Sequence, residues 1–230
     1  MIEFIFPLDF FSPREVEYWD QLIGKEVDVY KIGYQLFISQ GPELVKNFTE
    51  KNKAVFLDLK LHDIPNTVEQ GTKAAVDLGV KYLTVHASGG AEMIQSAKKS
   101  AGDSHTKILA VTVLTSISQQ QSEKIFKPSS SIRQLVLDFA DYSYQAGADG
   151  VICSVWEASL IRETLPPEFL IITPGIRMAE KQRTADDQQR VATPAQAKSA
   201  GVNGIVMGRP VINSADPVNF ISKVKQQLRE

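Results

Sequence analysis

Eight short apolar runs recur at fairly even spacing along the chain, and this repetition limits the possible folds more than any other feature. They are "EFIFPLDF" at 3–10, "VDVYKIG" at 27–33, "AVFLDLKL" at 54–61, "YLTVHA" at 82–87, "KILAVTVLT" at 107–115, "GVICS" at 150–154, "FLIITPGI" at 169–176 and "GIVMGRPVI" at 204–212. Each is rich in Val, Ile, Leu or Phe and bounded by Gly, Pro or polar residues, as strands buried on both faces are. Helical patterns lie between them. "NTVEQGTKAAVDLG" follows Pro65, "GGAEMIQSAKKSAG" is bracketed by glycines, and "SSIRQLVLDFADYSYQAG" opens on serines and stops at Gly147. "TPAQAKSAG" offers Thr193 as N-cap and Pro194 in the first turn, and "DPVNFISKVKQQLRE" reads as a final helix.

Strands alternating with helices predict an α/β protein whose parallel sheet closes into a (β/α)8 TIM barrel, a single domain over 1–230. An open doubly wound sheet competes, but no Gly-rich dinucleotide loop follows the first strand. Two polar stretches, "SISQQQSEKIFKPSSS" (116–131) and "MAEKQRTADDQQR" (178–190), each follow a predicted strand. A barrel would place them as long loops at its catalytic end, where lids are found.

Composition removes several classes of function. The 230 residues are 43% hydrophobic and 23% charged, with a net charge of −2 and a pI near 6.0, so no basic surface points to nucleic acid or an anionic membrane. One cysteine, Cys153, allows no internal disulfide and fits a reducing compartment. The start "MIEFIFPLDF" has neither the basic leader nor the cleavage site of a signal peptide, and no apolar run is long enough to span a bilayer. A cytoplasmic protein is expected.

The stretch "LDLKLHDIPNT" at 57–67 carries the chemistry. On a strand, Asp58 and Lys60 share one face while Leu57, Leu59 and Leu61 share the other. A buried charge is costly unless paired, so a carboxylate and an ammonium on an inner face imply purpose. Each charge alone reads as a structural ion pair or a solvated loop residue. Together, Asp9, Lys31, Asp58, Lys60, Asp63, "TPGIR" and "MGRP" fall at or near the C-terminal ends of predicted strands, the functional end of a barrel.

Lys31, Asp58, Lys60 and Asp63 can form an alternating row of cation and anion in which carboxylates hold Lys60 protonated. A fixed ammonium of this kind can stabilise a developing carbanion and then protonate it, while Asp58 or Asp63 crowds an anionic substituent. The pattern suits loss of CO2 followed by protonation and suits nucleophilic attack by lysine poorly. "GIVMGRP" offers the N–H groups of Gly208 and Arg209 with a guanidinium to an anion, Arg177 supplies a second cation, and a plain turn is the alternative. Asp58, His62, Asp63 and His86 are conceivable metal ligands, but His62 should point away from 58 and 60, so no metal is expected. His86 reads as lining or ordering the site, His105 as a surface residue, Cys153 as core, and the aromatics of "DFADYSY" as core.

With these residues in hand, the chain resembles the orotidine 5′-phosphate decarboxylase family in its bacterial form. "DLKLHDIPNT" matches the D-x-K-x-x-D signature and its flanks, and "LDF" (8–10), "YKIG" (30–33), "TVLTS" (112–116), "TPGIR" (173–177) and "MGRP" (207–210) match in order, so the resemblance covers essentially the whole chain. It implies a homodimer that converts orotidine 5′-monophosphate to uridine 5′-monophosphate without cofactor or metal. Lys60 would protonate C6, with Lys31, Asp58 and Asp63 as its charge partners. Asp63 and Thr67 would come from the other subunit. Asp9 and Lys31 would hold the ribose, Thr115 the pyrimidine, and Arg177, Gly208 and Arg209 the 5′-phosphate, with Pro174 also at the substrate and Gln188 reaching from the lid. The lid "RMAEKQRTADDQQR" departs from the family pattern in lacking its usual glycines. One alternative is a related barrel that shares D-x-K-x-x-D but decarboxylates a keto-sugar phosphate with Mg2+. It would carry a metal-binding glutamate near the second strand, where this chain has Lys31. Another is a non-catalytic nucleotide-binding barrel, which should have lost parts of a charged row that is intact here.

Overall fold

The apolar runs become strands, as the pattern predicts. In a computed structural model, which describes residues 1–126, 131–178 and 191–229, they are β1 (Glu3–Pro7), β2 (Val29–Gly33), β3 (Val55–Leu61), β4 (Tyr82–His86), β5 (Lys107–Val111), β6 (Gly150–Ile152), β7 (Leu170–Thr173) and β8 (Gly204–Val206). Each pairs in parallel with the next, and β8 returns to β1 through Glu3↔Gly204 and Ile5↔Val206. The eight strands thus close into a barrel, and the open sheet is excluded.

The described helices are α1 (Pro13–Ile23), α2 (Tyr34–Gln40), α3 (Pro42–Thr49), α4 (Pro65–Asp77), α5 (Ala91–Ala101), α6 (Gln119–Phe126), α7 (Ile132–Gln145), α8 (Val155–Thr164), α9 (Pro194–Ser199), α10 (Arg209–Ile212) and α11 (Pro217–Arg229). Their boundaries have local causes. Ser131 Oγ accepts the Gln134 N–H at the start of α7, and α7 stops just before Gly147, whose φ of 90° suits glycine. Thr193 and Gln196 form a reciprocal capping box on α9, with Pro194 in its first turn. The polar run 116–131, expected as a loop, instead carries α6. That helix buries only Ser122, so its pattern shows no apolar stripe. It starts on reciprocal bonds between Ser118 and Gln121 and is reinforced by Gln119 donating to Glu123 at 2.8 Å. Among the described residues no helix is long and apolar enough to cross a membrane.

Two apolar clusters follow from the period of two along each strand. Ile5, Val29, Phe56, Tyr82, Leu109 and Ile172, with Ile152 and Val206 against them, place one residue from each strand inside the barrel. The alternate residues, such as Phe4, Ile32, Leu57, Leu83 and Ile171, meet the helices in the larger outer cluster. The inner plug fills the barrel, so a ligand can be accommodated only at an end.

Candidate active site

A cavity of about 510 Å3 opens at the C-terminal ends of the strands. Pro7, Asp9, Lys31, Phe56, Asp58 and Lys60 form one wall, and Pro174, Gly175, Arg177, Gly208 and Arg209 contribute to the rest. Val111, Ile152 and Val206 also line it, which places charge on an apolar base.

The charged wall is continuous. Asp9, two residues past the end of β1, lies 3.3 Å from Lys31 Nζ on β2. Lys31 Nζ lies 3.5 Å from Asp58 Oδ2 on β3, and Lys60 Nζ donates to Asp58 Oδ1 at 2.8 Å. Thr84 on β4 also donates to Asp58 Oδ1, at 2.9 Å. Asp58 is only 8% exposed. Burial alone would raise its pKa, but Lys31, Lys60 and the two hydrogen bonds outweigh that, and the carboxyl titrates below the ordinary 3.8. The Tyr34 ring lies 5.7 Å from Lys60 Nζ, and its hydroxyl is pushed upward by burial and by Asp58.

The backbone that delivers Lys60 is irregular. Leu57 pairs with Leu83 but Leu61 pairs with Val85, so β3 carries two extra residues against β4. Within this bulge Lys60 has φ 45°, a left-handed conformation that costs a non-glycine residue about 1 kcal/mol or more. Its N–H donates to Thr84 Oγ1 at 2.9 Å.

The opposite wall rests on close packing. A Cβ on Gly208 would come within 2.6 Å of Pro7 Cγ, so only glycine lets the turn after β8 pass the end of β1. Arg209 then opens α10. Past β7, Ile176 bridges Ala192, and the Arg177 N–H donates to the Ala192 carbonyl at 2.9 Å, fixing Arg177 at the mouth.

Most of the residues singled out in the sequence therefore converge. Asp9, Lys31, Asp58, Lys60, Thr115, Pro174, Arg177, Gly208 and Arg209 all line the cavity. Asp63 and Thr67 do not line the cavity of their own chain. Asp63 is exposed beyond β3, where its carboxylate accepts the Ile64 N–H at 2.7 Å, and Thr67 is exposed in the first turn of α4. Within one chain the row runs Asp9–Lys31–Asp58–Lys60, so Asp9 extends it beyond Lys31, at the end opposite to the place expected of Asp63. Gln188 lies outside the described residues.

The histidines stand beside the site. His86 is not a lining residue of the cavity. It faces His62 at 5.1 Å between ring centroids, and burial, then His62, then Lys60 lower its pKa against the opposing effect of Asp58. Among the described residues no three His, Cys, Asp or Glu side chains are grouped to hold a metal. His105 is placed near the Gly79 carbonyl, and Cys153 is buried. Of the aromatics at 138–144, Phe139 packs on the core as expected. Tyr142 and Tyr144 are more exposed than a core reading implies, because Tyr142 reaches the Ala91 N–H and Tyr144 meets Phe169 edge-on. Thr84 was not singled out in the sequence. Its only trace there is a polar residue at an inward position of "YLTVH".

Known proteins share this fold. The model of the Orotidine 5'-phosphate decarboxylase / HUMPS family matches residues 3–224. A Lactobacillus gasseri orotidine 5'-phosphate decarboxylase is 44% identical over 213 residues, covering 90% of each chain. One from Listeria innocua is 42% identical over 229 residues, covering 97% of each. The crystal structure of orotidine 5'-phosphate decarboxylase from Lactobacillus acidophilus superposes with a TM-score of 0.88 at 36% identity over 100% of both chains. The chain belongs to the orotidine 5′-phosphate decarboxylase / HUMPS family.

Proposed function

We propose that this chain acts as an orotidine 5′-phosphate decarboxylase by direct loss of CO2, with Lys60 as the proton donor. It converts orotidine 5′-monophosphate to uridine 5′-monophosphate in pyrimidine biosynthesis, as its relatives' names imply. The observation that carries the mechanism is the unbroken row from Asp9 to Lys60 at the edge of the cavity. Asp58 is ionised and repels the substrate carboxylate. The C6–CO2 bond breaks, its electron pair stays on C6, and CO2 departs. The Lys60 ammonium stabilises that carbanion and transfers a proton from Nζ to C6. Arg177, Arg209 and the Gly208 turn suit the 5′-phosphate, while Asp9 and Lys31 suit the ribose hydroxyls. Thr115 and Pro174 flank the pyrimidine, and Gln188 belongs to the phosphate contacts.

The same reading makes the active unit a homodimer, with Asp63 and Thr67 completing the partner's site. In support, both are exposed outside their own cavity, and the neighbouring Ile64 is 66% exposed, an apolar residue suited to being covered. It uses no cofactor or metal and places the protein in the cytoplasm. A keto-sugar phosphate decarboxylase using Mg2+ needs a carboxylate near β2, and β2 brings Lys31 there instead.

The test is the fall in ultraviolet absorbance of orotidine 5′-monophosphate, followed with and without EDTA. Equal, enzyme-dependent loss is expected in both. Inactivity, or activity removed by EDTA and restored by Mg2+, overturns the reading.

A further inference from the structure

We infer that Thr84 is a positioning residue: its single hydroxyl locks the Asp58 carboxylate and the Lys60 backbone into one reactive arrangement. The inference rests on the reading above, in which Lys60 and Asp58 face the reacting carbon. Thr84 projects from the middle of β4 and is 0% exposed. It sits opposite the segment of β3 that bulges between the Leu57↔Leu83 and Leu61↔Val85 pairs. A bulge interrupts the ladder and leaves backbone groups without strand partners. Here the Lys60 N–H finds Thr84 Oγ1 at 2.9 Å, so a side chain replaces the missing ladder carbonyl.

The same oxygen donates its proton to Asp58 Oδ1 at 2.9 Å. A hydroxyl can accept and donate at once, and both capacities are used here. The result is a small ring. Lys60 Nζ bonds Asp58 Oδ1, Asp58 Oδ1 bonds Thr84, and Thr84 bonds the backbone of Lys60. The ring ties both ends of Lys60, ammonium and amide, to one anchor on the neighbouring strand. It also opposes relaxation of the left-handed φ of 45° towards ordinary strand values, which would swing Nζ away from the cavity. Thr84 does not line the cavity, so it acts only through its two partners.

The test compares Thr84→Val, which keeps the shape and removes both bonds, with Thr84→Ser, which keeps both. Turnover of orotidine 5′-monophosphate, affinity for uridine 5′-monophosphate and thermal melting are measured on each, beside wild type and Lys60→Ala. Thr84→Val should lose about 100-fold in kcat, as misplacement of a catalytic group by about 1 Å does, with product affinity changed by less than about 3-fold. Thr84→Ser should recover most of kcat. Equal kcat for Thr84→Val and wild type overturns the inference, and so does a parallel loss of kcat and product affinity that serine does not rescue. If Thr84→Val does not fold, Thr84→Ala is measured instead. A folded Thr84→Ala with wild-type kcat overturns the inference, and failure of both to fold also overturns it, because Thr84 would then be a folding residue. A wild-type protein that does not decarboxylate refutes the proposed function; an active wild type with an equally active Thr84→Val refutes only the role of Thr84.

Discussion

At the N-terminal end of the barrel, Asp149 lies 2.7 Å from Lys98 and 3.5 Å from Lys107; at the C-terminal end, Asp58 lies 2.8 Å from Lys60 and 3.5 Å from Lys31. By distance alone the two clusters are nearly the same. They differ in what else each carboxylate holds. Asp149 Oδ2 accepts the Ile108 N–H at 2.9 Å near the start of β5, and Asp28 likewise accepts the Phe4 N–H at 2.7 Å. These carboxylates stitch strand beginnings together. Asp58 instead takes Thr84 beside its lysines and borders a cavity. Its lysines are also the more enclosed, with side chains 13% and 24% exposed against 34% and 47% at the other end. An ion pair therefore says little about function by itself, and the remaining partners of the carboxylate say more.

The largest test of this contrast is Lys60→Ala. It should nearly abolish turnover while leaving the melting temperature close to wild type, since no strand N–H depends on Lys60 Nζ. Mixing it with Asp63→Ala, after dissociation and reassociation, should restore activity. Random pairing makes about half the dimers mixed, and about a quarter of all sites then carry neither lesion. Lack of recovery would place Asp63 in its own chain's site, and a wild-type rate for Lys60→Ala would remove the lysine from the chemistry.

Asp149→Ala should do the reverse. It strands the Ile108 N–H and two lysines, which costs about 1–3 kcal/mol of stability, read by denaturant unfolding, while kcat per folded molecule is kept. A fall in kcat at unchanged stability would dissolve the distinction between the two ends.

The smallest effect belongs to His86. Its folded pKa lies below the ordinary 6.5, so the unfolded chain binds the proton more readily. The stability this contributes is fully present above about pH 6.5 and is lost as pH falls through the lower, folded value. His86→Asn should flatten the decline in melting temperature as pH falls below about 6.5. An unchanged slope would assign that decline to other groups.

Much of this molecule was legible in its sequence, for physical reasons. Strands buried on both faces announce themselves as apolar runs, and the barrel followed from their alternation with helices. Lys60 and Asp58 stood out because charge is rare on an inner face, and Pro65 marked where the chain turns into α4. α6 was hidden because its only apolar residues, Ile125 and Phe126, are adjacent at its end and leave no helical period to read. Thr84 was hidden because its meaning depends on the register between two strands, which neither strand's own pattern contains. The exposure of Asp63 matches its position past the strand end, but whether it serves its own site or a partner's depends on assembly, which the local pattern does not encode.

The inner plug has a consequence for traffic. Ile5, Val29, Phe56, Leu109 and Ile172 are at most 2% exposed and close the barrel beneath the site. Among the described residues, the interior thus gives neither gas nor water a passage from below. Gas, nucleotide and solvent share one doorway. On the proposed mechanism, CO2 departs past the mouth by which the nucleotide entered, and the proton that Lys60 gives away is replenished through that same opening. On that mechanism each turnover is a queue at a single door, with refilling of the acid tied to the exit of the product.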